Sequence, residues 1–514
     1  MKHNKITVKF ISILSMLSIV ITCLSSCSNS TANNATNTGN HVNVGDLSVT
    51  MRSASEIFTD RDSDPSYDES TAIKIALSGN SATSDSDSVE IRGSTVTIKK
   101  EGTYILSGKL DDGTVVVTAD KTAKVQLVLN NAEITSKDCA AILITSADKV
   151  FVTTAKGTNN SLTNGGTYTE LNDITNIDGV IFSKEDLTFN GEGTLNITAN
   201  AGHGFVSKDD LKITGGTYNI TSAEHGISGK DSVSIKEGNI NITAGNKGIK
   251  SKNSDETGKG QITIFGSTIN ISKSEEGIEG TDIQILGGEI NIVSSDDGIN
   301  AASALNEDII LTIGGGKIKI NAEGDGIDSN GNLIVSGGEI YVSGASNGGN
   351  SALDYENDAA ISGGTFIACG MSQMAQNFGE SSTQGSILVN LTSTHSNESV
   401  KLTDSKGNRI VEYTPEKSFN SVVVSSPEIT KGNSYKIVCG DESQEITMDT
   451  LIYGSGMNMM GHPGGMDSGM KDGNGRGDRD FRDIPQGGMD KNGDMQPPSD
   501  KGIRGPRDRA DSSR

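Results

Sequence analysis

The chain has 514 residues, a formal net charge of −23, aromatics at 4% and no Trp. Phosphate binding needs basic patches, so this charge argues against a nucleic-acid partner and favours cations, or polymers reached through cations. Gly numbers 63 and Pro 8, proportions that suit the corners of a sheet more than a Pro-rich linker.

The first element is a targeting segment. Lys2, Lys5 and Lys9 are basic, and Phe10 to Leu24 is apolar but short for a membrane span. Leu24-Ser25-Ser26-Cys27 resembles a bacterial lipobox. That resemblance implies a lipoprotein signal peptide over 1–27, lipid attachment at Cys27, and a membrane-anchored protein on the extracellular side. Anchorage by several acyl chains is stable where one chain is not. Residues 28–55 are rich in Ser, Thr, Asn and Gly as far as Gly45 and read as a flexible linker.

Order is expected from near Glu56-Ile57-Phe58-Thr59, and from Val96 onward the alternation is that of strands. Val96-Thr97-Ile98, Tyr104-Ile105-Leu106, Val115-Val116-Val117, Val125 to Leu129 and Ala141 to Ile144 are short β runs separated by Gly, Asn and Asp. A regular array follows, with a repeat of about 22 residues. One copy reads Glu276-Gly277-Ile278, Ile283-Gln284-Ile285, Gly287-Gly288, Ile290-Asn291-Ile292; another reads Asp325-Gly326-Ile327, Leu333-Ile334-Val335, Gly337-Gly338, Ile340-Tyr341-Val342. Three short β-branched strands per repeat, with glycine corners, predict a right-handed parallel β-helix over 56–384, an all-β solenoid. Equivalent corner glycines are expected at Gly179, Gly204, Gly226, Gly248, Gly277, Gly298 and Gly326. Val180, Phe205, Ile227, Ile249, Ile278, Ile299 and Ile327 then form one inward column. Insertions at Asn253 to Lys259 and Ser303 to Asp308 follow the same strand in their coils, so they emerge on one edge. Residues 385–452 lose the repeat and read as a small C-terminal β module or cap. Residues 453–514 are rich in Gly, Met, Asp and Arg and read as a disordered tail. Cys139, Cys369 and Cys439 lack metal-site spacing and read as core residues.

Stacked coils place equivalent residues in columns. The position before each corner glycine gives Asp178, His203, His225, Lys247, Glu276, Asp297 and Asp325. The residue before that adds Glu275 and Asp296, and two residues after the glycine come Glu279, Asn300 and Asp328, followed by Asp354. Acids are therefore sparse in early coils and crowded in late ones. Carboxylates about 5 Å apart repel by several kcal/mol at an effective dielectric near 20, so such a stack lies splayed in water or holds a cation. Ca2+ takes six to eight oxygens at about 2.4 Å, which adjacent coils can supply. The candidate metal ligands are Glu275, Glu276, Glu279, Asp296, Asp297, Asn300, Asp325, Asp328 and Asp354. His203 and His225 have no acid or Cys obviously beside them and read as turn residues. A second column, Asn196, Asn219, Asn241, Asn270 and Asn291, points outward; it is either a ladder of mutually bonded amides or a strip facing a sugar polymer. On the second reading Asn241, Asn270 and Asn291, with Tyr341 and Tyr355, are the candidate ligand-binding residues.

Phe58-Thr59-Asp60-Arg61-Asp62, Gly102 to Gly108, Asp112-Gly113, Leu127 to Asn131 and Gly157 to Thr163 together resemble a family of secreted bacterial carbohydrate-binding domains. The resemblance spans about Glu56 to Thr450. It implies a parallel β-helix similar to pectate lyases, calcium along the helix, and binding of cellulose or acidic plant polysaccharide. The family's calcium positions carry over best to Asp296, Asp297, Asn300, Asp325 and Asp328; His203, His225 and Lys247 depart from the pattern.

The expected function is that of a monomeric cell-surface lipoprotein, with no catalytic residues, that binds polysaccharide through calcium. A calcium-dependent lyase is the enzymatic alternative. Such an enzyme abstracts a proton α to a carboxylate with a strong base. No Arg lies between Arg92 and Arg409, so the base must be a Lys, and the nearest in sequence to the acidic edge are Lys250, Lys252 and Lys273. A surface spacer without sugar affinity is the third reading.

Overall fold

The computed structural model describes residues 41–171 and 174–454. The signal segment, Cys27 and the tail from 455 onward lie outside the described residues. The described chain is a β-solenoid in which each regular coil contributes three short strands. Corresponding strands of successive coils pair in parallel, so one coil stacks on the next at about 4.8 Å.

The first strands of the coils, from Thr95–Ile98 to Asp354–Tyr355, form a twelve-stranded sheet whose edge strand Val89–Arg92 pairs antiparallel with Thr95–Ile98. Ile227, Ile249, Ile278, Ile299 and Ile327 follow one another in its register, and all are fully buried. Phe205 heads this run, but its partner one coil earlier is Ile181, not Val180, and Gly179 faces His203 rather than Gly204. An extra residue at the start of the regular array therefore shifts the expected equivalence by one.

The corner glycines have a steric cause. A Cβ on Gly226 would lie 2.7 Å from the carbonyl oxygen of Gly248, and one on Gly277 would lie 2.3 Å from that of Gly298. Those same carbonyls accept from Ile227 N–H and Ile278 N–H. Any side chain here would push the coils apart and break the ladder. The Gly-Gly corners have a different cause, because the second glycine is left-handed at Gly288, Gly316, Gly338 and Gly364.

The N-terminal segment corrects the linker expectation. Within 28–55, strands His41–Val44 and Leu47–Thr50 form a hairpin, and its Val44 and Val49 pack on Ile334 and Ala360. The chain then runs back across earlier coils along the second-strand sheet. Arg52 reaches Thr263 and Asp282, Phe58 packs edge-on against Phe265, and Asp62 is fully buried beside Lys149 Nζ at 2.7 Å. Thr188 Oγ1 donates to the Asp62 carboxylate at 2.7 Å, which with Lys149 holds its pKa below the usual carboxylate range despite burial. The Phe58 to Asp62 motif is thus a strap pinned to the solenoid wall.

After the last coil strand, Thr365–Gly370, pairing turns antiparallel onto Phe419–Ser425, which also pairs with Ser386–His395. A four-stranded antiparallel sheet follows, in the order Arg409–Tyr413, Val400–Asp404, Ser434–Cys439, Glu442–Thr447. The module has its own core, including Ile387, Val424, Tyr435 and Ile437. It covers an edge that would otherwise offer unpaired backbone groups.

Candidate functional site

One outward-facing register column of the twelve-stranded sheet carries the chemistry. It reads Val116, Leu143, Phe182, Val206, Ser228, Lys250, Glu279, Asn300, Asp328 and Asp354. The first four are apolar and lie under Ile174 and Ile177, with Tyr168 and Leu171 packed alongside. The last six are polar or charged.

Beside this column the residue before each corner glycine bridges coils. His225 N–H donates to His203 Nδ1 at 3.0 Å, and Lys247 N–H donates to His225 Nδ1 at 3.2 Å. Asp325 N–H donates to Asp297 Oδ1 at 2.7 Å, and Ser351 N–H to Asp325 Oδ1. A side-chain acceptor at this position thus satisfies the corner amide of the following coil. The two imidazoles stack with centroids 4.5 Å apart. Burial, the neighbouring ring and nearby lysines push His225 down to about 2, so the stack is uncharged at neutral pH.

The predicted metal set divides in two. Lys247 Nζ lies 3.4 Å from Glu275 and 2.9 Å from Glu276. Lys250 and Lys252 lie 3.7 and 3.0 Å from the buried Glu279. These three acids have cations of their own. Asp296, Asp297, Asp325, Asp328 and Asp354 have none within 4.0 Å among the described residues. Burial, with the surrounding carboxylates adding to it, raises Asp297 and Asp328 to about 7. Asp325 and Asp354 are raised too, chiefly by burial. Glu276 belongs to both groups, since its carboxylate also comes within 4.8 Å of Asp296 and Asp297.

Neutral donors complete the cluster. Asn300 Nδ2 reaches Asp297 Oδ2 at 3.3 Å, and Asn330 Nδ2 reaches Asp328 Oδ2 at 3.3 Å and Asn300 Oδ1 at 3.4 Å. Gln376 donates to Asp354. Gly324 faces the acids so closely that a Cβ there would stand 2.5 Å from Oδ1 of both Asp296 and Asp297. The sequence reading missed Gly324, Asn330 and Gln376; only the Asp328-Ser329-Asn330 spacing hinted at one of them. An all-oxygen, uncompensated donor set with a glycine opposite suits a hard divalent cation.

The predicted sugar-binding strip lies on the third-strand sheet instead. Asn196, Asn219, Asn241, Asn270 and Asn291 are in register. Asn219 Nδ2 donates to Asn196 Oδ1 at 2.9 Å and Asn241 Nδ2 to Asn219 Oδ1 at 3.0 Å, an amide ladder along the coils. The Tyr341 ring packs against Tyr413 at 5.5 Å, and the Tyr355 hydroxyl donates to the Asn377 carbonyl at 2.8 Å. Both tyrosines are half-buried against the C-terminal part of the chain. Of the lysines named as a lyase base, Lys250 and Lys252 are the partners of Glu279, and Lys273 is exposed at the end of strand Thr268–Lys273. Cys139, Cys369 and Cys439 are buried free thiols.

A β-solenoid with an acidic corner on its first sheet defines a class, and comparison with known proteins gives the family. A model described as carbohydrate-binding domain-containing protein matches residues 92–349 and 266–443, and the chain belongs to that family. A carbohydrate-binding domain-containing protein of Acetivibrio thermocellus is 36% identical over 151 residues, 29% of this chain and 52% of its own length. The chain thus spans about half the length of that curated relative. Among solved structures, the gadolinium derivative of a polysaccharide lyase-like protein from C. thermocellum is 32% identical. It covers 51% of this chain and 96% of its own, with a TM-score of 0.40.

Proposed function

We propose that the chain binds polysaccharide, acidic plant-type polymer or cellulose, through Ca2+ held at Asp296, Asp297, Asn300, Asp325, Asp328 and Asp354. The observation that carries this reading is the half-buried set Asp297, Asp325, Asp328 and Asp354, beside the exposed Asp296, with no cation within 4.0 Å among the described residues. Nearby Glu275, Glu276 and Glu279 each have a lysine, which sets the aspartates apart from them. Calcium bridges these oxygens to uronate carboxylates or sugar hydroxyls, and Glu276 joins the shell by turning from Lys247. With no Trp and few exposed aromatics, recognition rests on the ion more than on ring stacking. Lipidation at Cys27 holds the protein on the outer cell surface. Lys250 and Lys252 lie against Glu279, which suits charge neutralisation better than proton abstraction, so binding is favoured over lyase chemistry.

The test is a pull-down on polygalacturonate and on cellulose with calcium and with chelator. Calcium-dependent retention is expected. No retention with calcium present overturns the reading, and accumulation of unsaturated uronide, seen by ultraviolet absorbance, replaces it with the lyase.

A further inference from the structure

The C-terminal module gathers a second group with different chemistry. His395 ends strand Ser386–His395, and Glu398 follows in the turn to Val400–Asp404. Cys439 ends Ser434–Cys439 and pairs with both Val400 and Glu442. These pairings bring four potential ligands to one corner. His395 Nδ1 lies 2.7 Å from Glu398 Oε2, and Nε2 lies 3.3 Å from Glu442 Oε2. One ligand atom each from His395, Glu398 and Cys439 fall within 4.8 Å of one another. Cys439 is fully buried and His395 nearly so, while the Glu398 side chain is 45% exposed. A Cβ on Gly440 would come within 2.2 Å of Glu398 Oε2, so a glycine at this turn leaves the carboxylate its place.

We infer that His395, Glu398 and Cys439 form a binding site for a borderline-soft divalent cation of the zinc class, with Glu442 orienting the imidazole. Thiolate, imidazole and carboxylate are three protein ligands of the kind zinc takes, and the exposed Glu398 side leaves a fourth position to water. A thiol among the donors disfavours calcium. Nδ1 faces Glu398 and is the nitrogen that binds. Nε2–H donates to Glu442, the carboxylate-to-histidine support that fixes a metal-bound ring. Binding sends the thiol proton and any proton on Nδ1 to solvent, so uptake tightens as pH rises. The site shares no residue with the aspartate corner and stands whether or not calcium binds there.

The test is titration of the reduced full chain with Co(II), read by thiolate-to-cobalt charge-transfer absorption and displaced by Zn(II). A single equivalent carrying that band is expected. Cys439→Ser removes the band, whereas Cys139→Ser retains it. Glu442→Gln weakens uptake about 10–100-fold. Because Cys439 is a core residue, His395→Asn and Glu398→Gln, with circular dichroism to check folding, carry the test independently. Absence of the band, or a band that survives His395→Asn, overturns the site. So does a His395 ring that titrates as an imidazolium held between two carboxylates, unchanged by Zn(II).

Discussion

Early and late coils use the same outward register column in opposite ways. At Val116, Leu143, Phe182 and Val206 it is apolar and covered by the chain around Tyr168 to Ile177. At Asn300, Asp328 and Asp354 it is polar, lies at the surface and adjoins acids without counter-cations. Between them Lys250 and Glu279 form a charged seam. The inward side hardly changes along this length, since Phe205, Ile227, Ile278, Ile299 and Ile327 are all fully buried. A solenoid can therefore vary one outward column freely while its core stays constant. The buried apolar cluster lies where that column is covered, and the proposed calcium site where it is bare.

Substitutions in the one column break this contrast most directly. Phe182→Ala in the covered half removes a fully buried ring that also packs under Lys208 Nζ at 5.1 Å. Its expected cost is about 3–5 kcal/mol, measured by chemical denaturation. Asp328→Asn in the bare half has the opposite sign. Without calcium it relieves repulsion and raises the melting temperature, and in calorimetry it abolishes tight calcium uptake. A loss of stability in the metal-free Asp328→Asn variant sinks the idea that these acids oppose one another.

The pH dependence follows from the same groups. Asp297 and Asp328 ionise near 3.8 in the unfolded chain and at about 7 when folded. The folded state then holds more protons between these values, so it is fully favoured below about 3.8 and loses stability as pH rises through 7. Calcium binds the ionised carboxylates, so the increase in melting temperature on adding calcium should grow across that window. A calcium effect that is flat from pH 4 to pH 8 would count against the corner as its site.

Gly324→Ala sharpens the comparison without removing a charge. Its methyl group enters the space beside Asp296 and Asp297. Calcium uptake should weaken about tenfold, or about 1.4 kcal/mol, while the pull-down on cellulose or polygalacturonate falls in parallel. The smallest effect is expected on the third-strand sheet. Asn219→Ala interrupts two amide hydrogen bonds and should cost about 0.5–1.5 kcal/mol, leaving calcium uptake unchanged.

The periodic parts of the molecule were legible because their causes are local. Acid-Gly-Ile corners, Ile-x-Ile strands and Gly-Gly turns recur because each coil meets the same steric demands. The crowding of acids around Asp297 and Asp328 could be read down the columns for the same reason. The register at Gly179 could not, since one extra residue leaves the pattern plausible in either alignment. The hairpin at 41–50 was hidden by its Ser, Thr, Asn and Gly neighbours. It is ordered by the outer surfaces of Ile334 and Ala360, far along the chain.

The residues alone committed this chain to a glycine-cornered parallel solenoid with acid-rich late coils, because backbone clearance and apolar alternation act over a few positions. Which acids stand without a cation was decided only by the tertiary structure. Lys247, Lys250 and Lys252 reach Glu275, Glu276 and Glu279 across coil boundaries, and His395 and Cys439 meet through strand pairing within the C-terminal module. Such meetings depend on distance in space, which the order of residues along the chain does not encode locally.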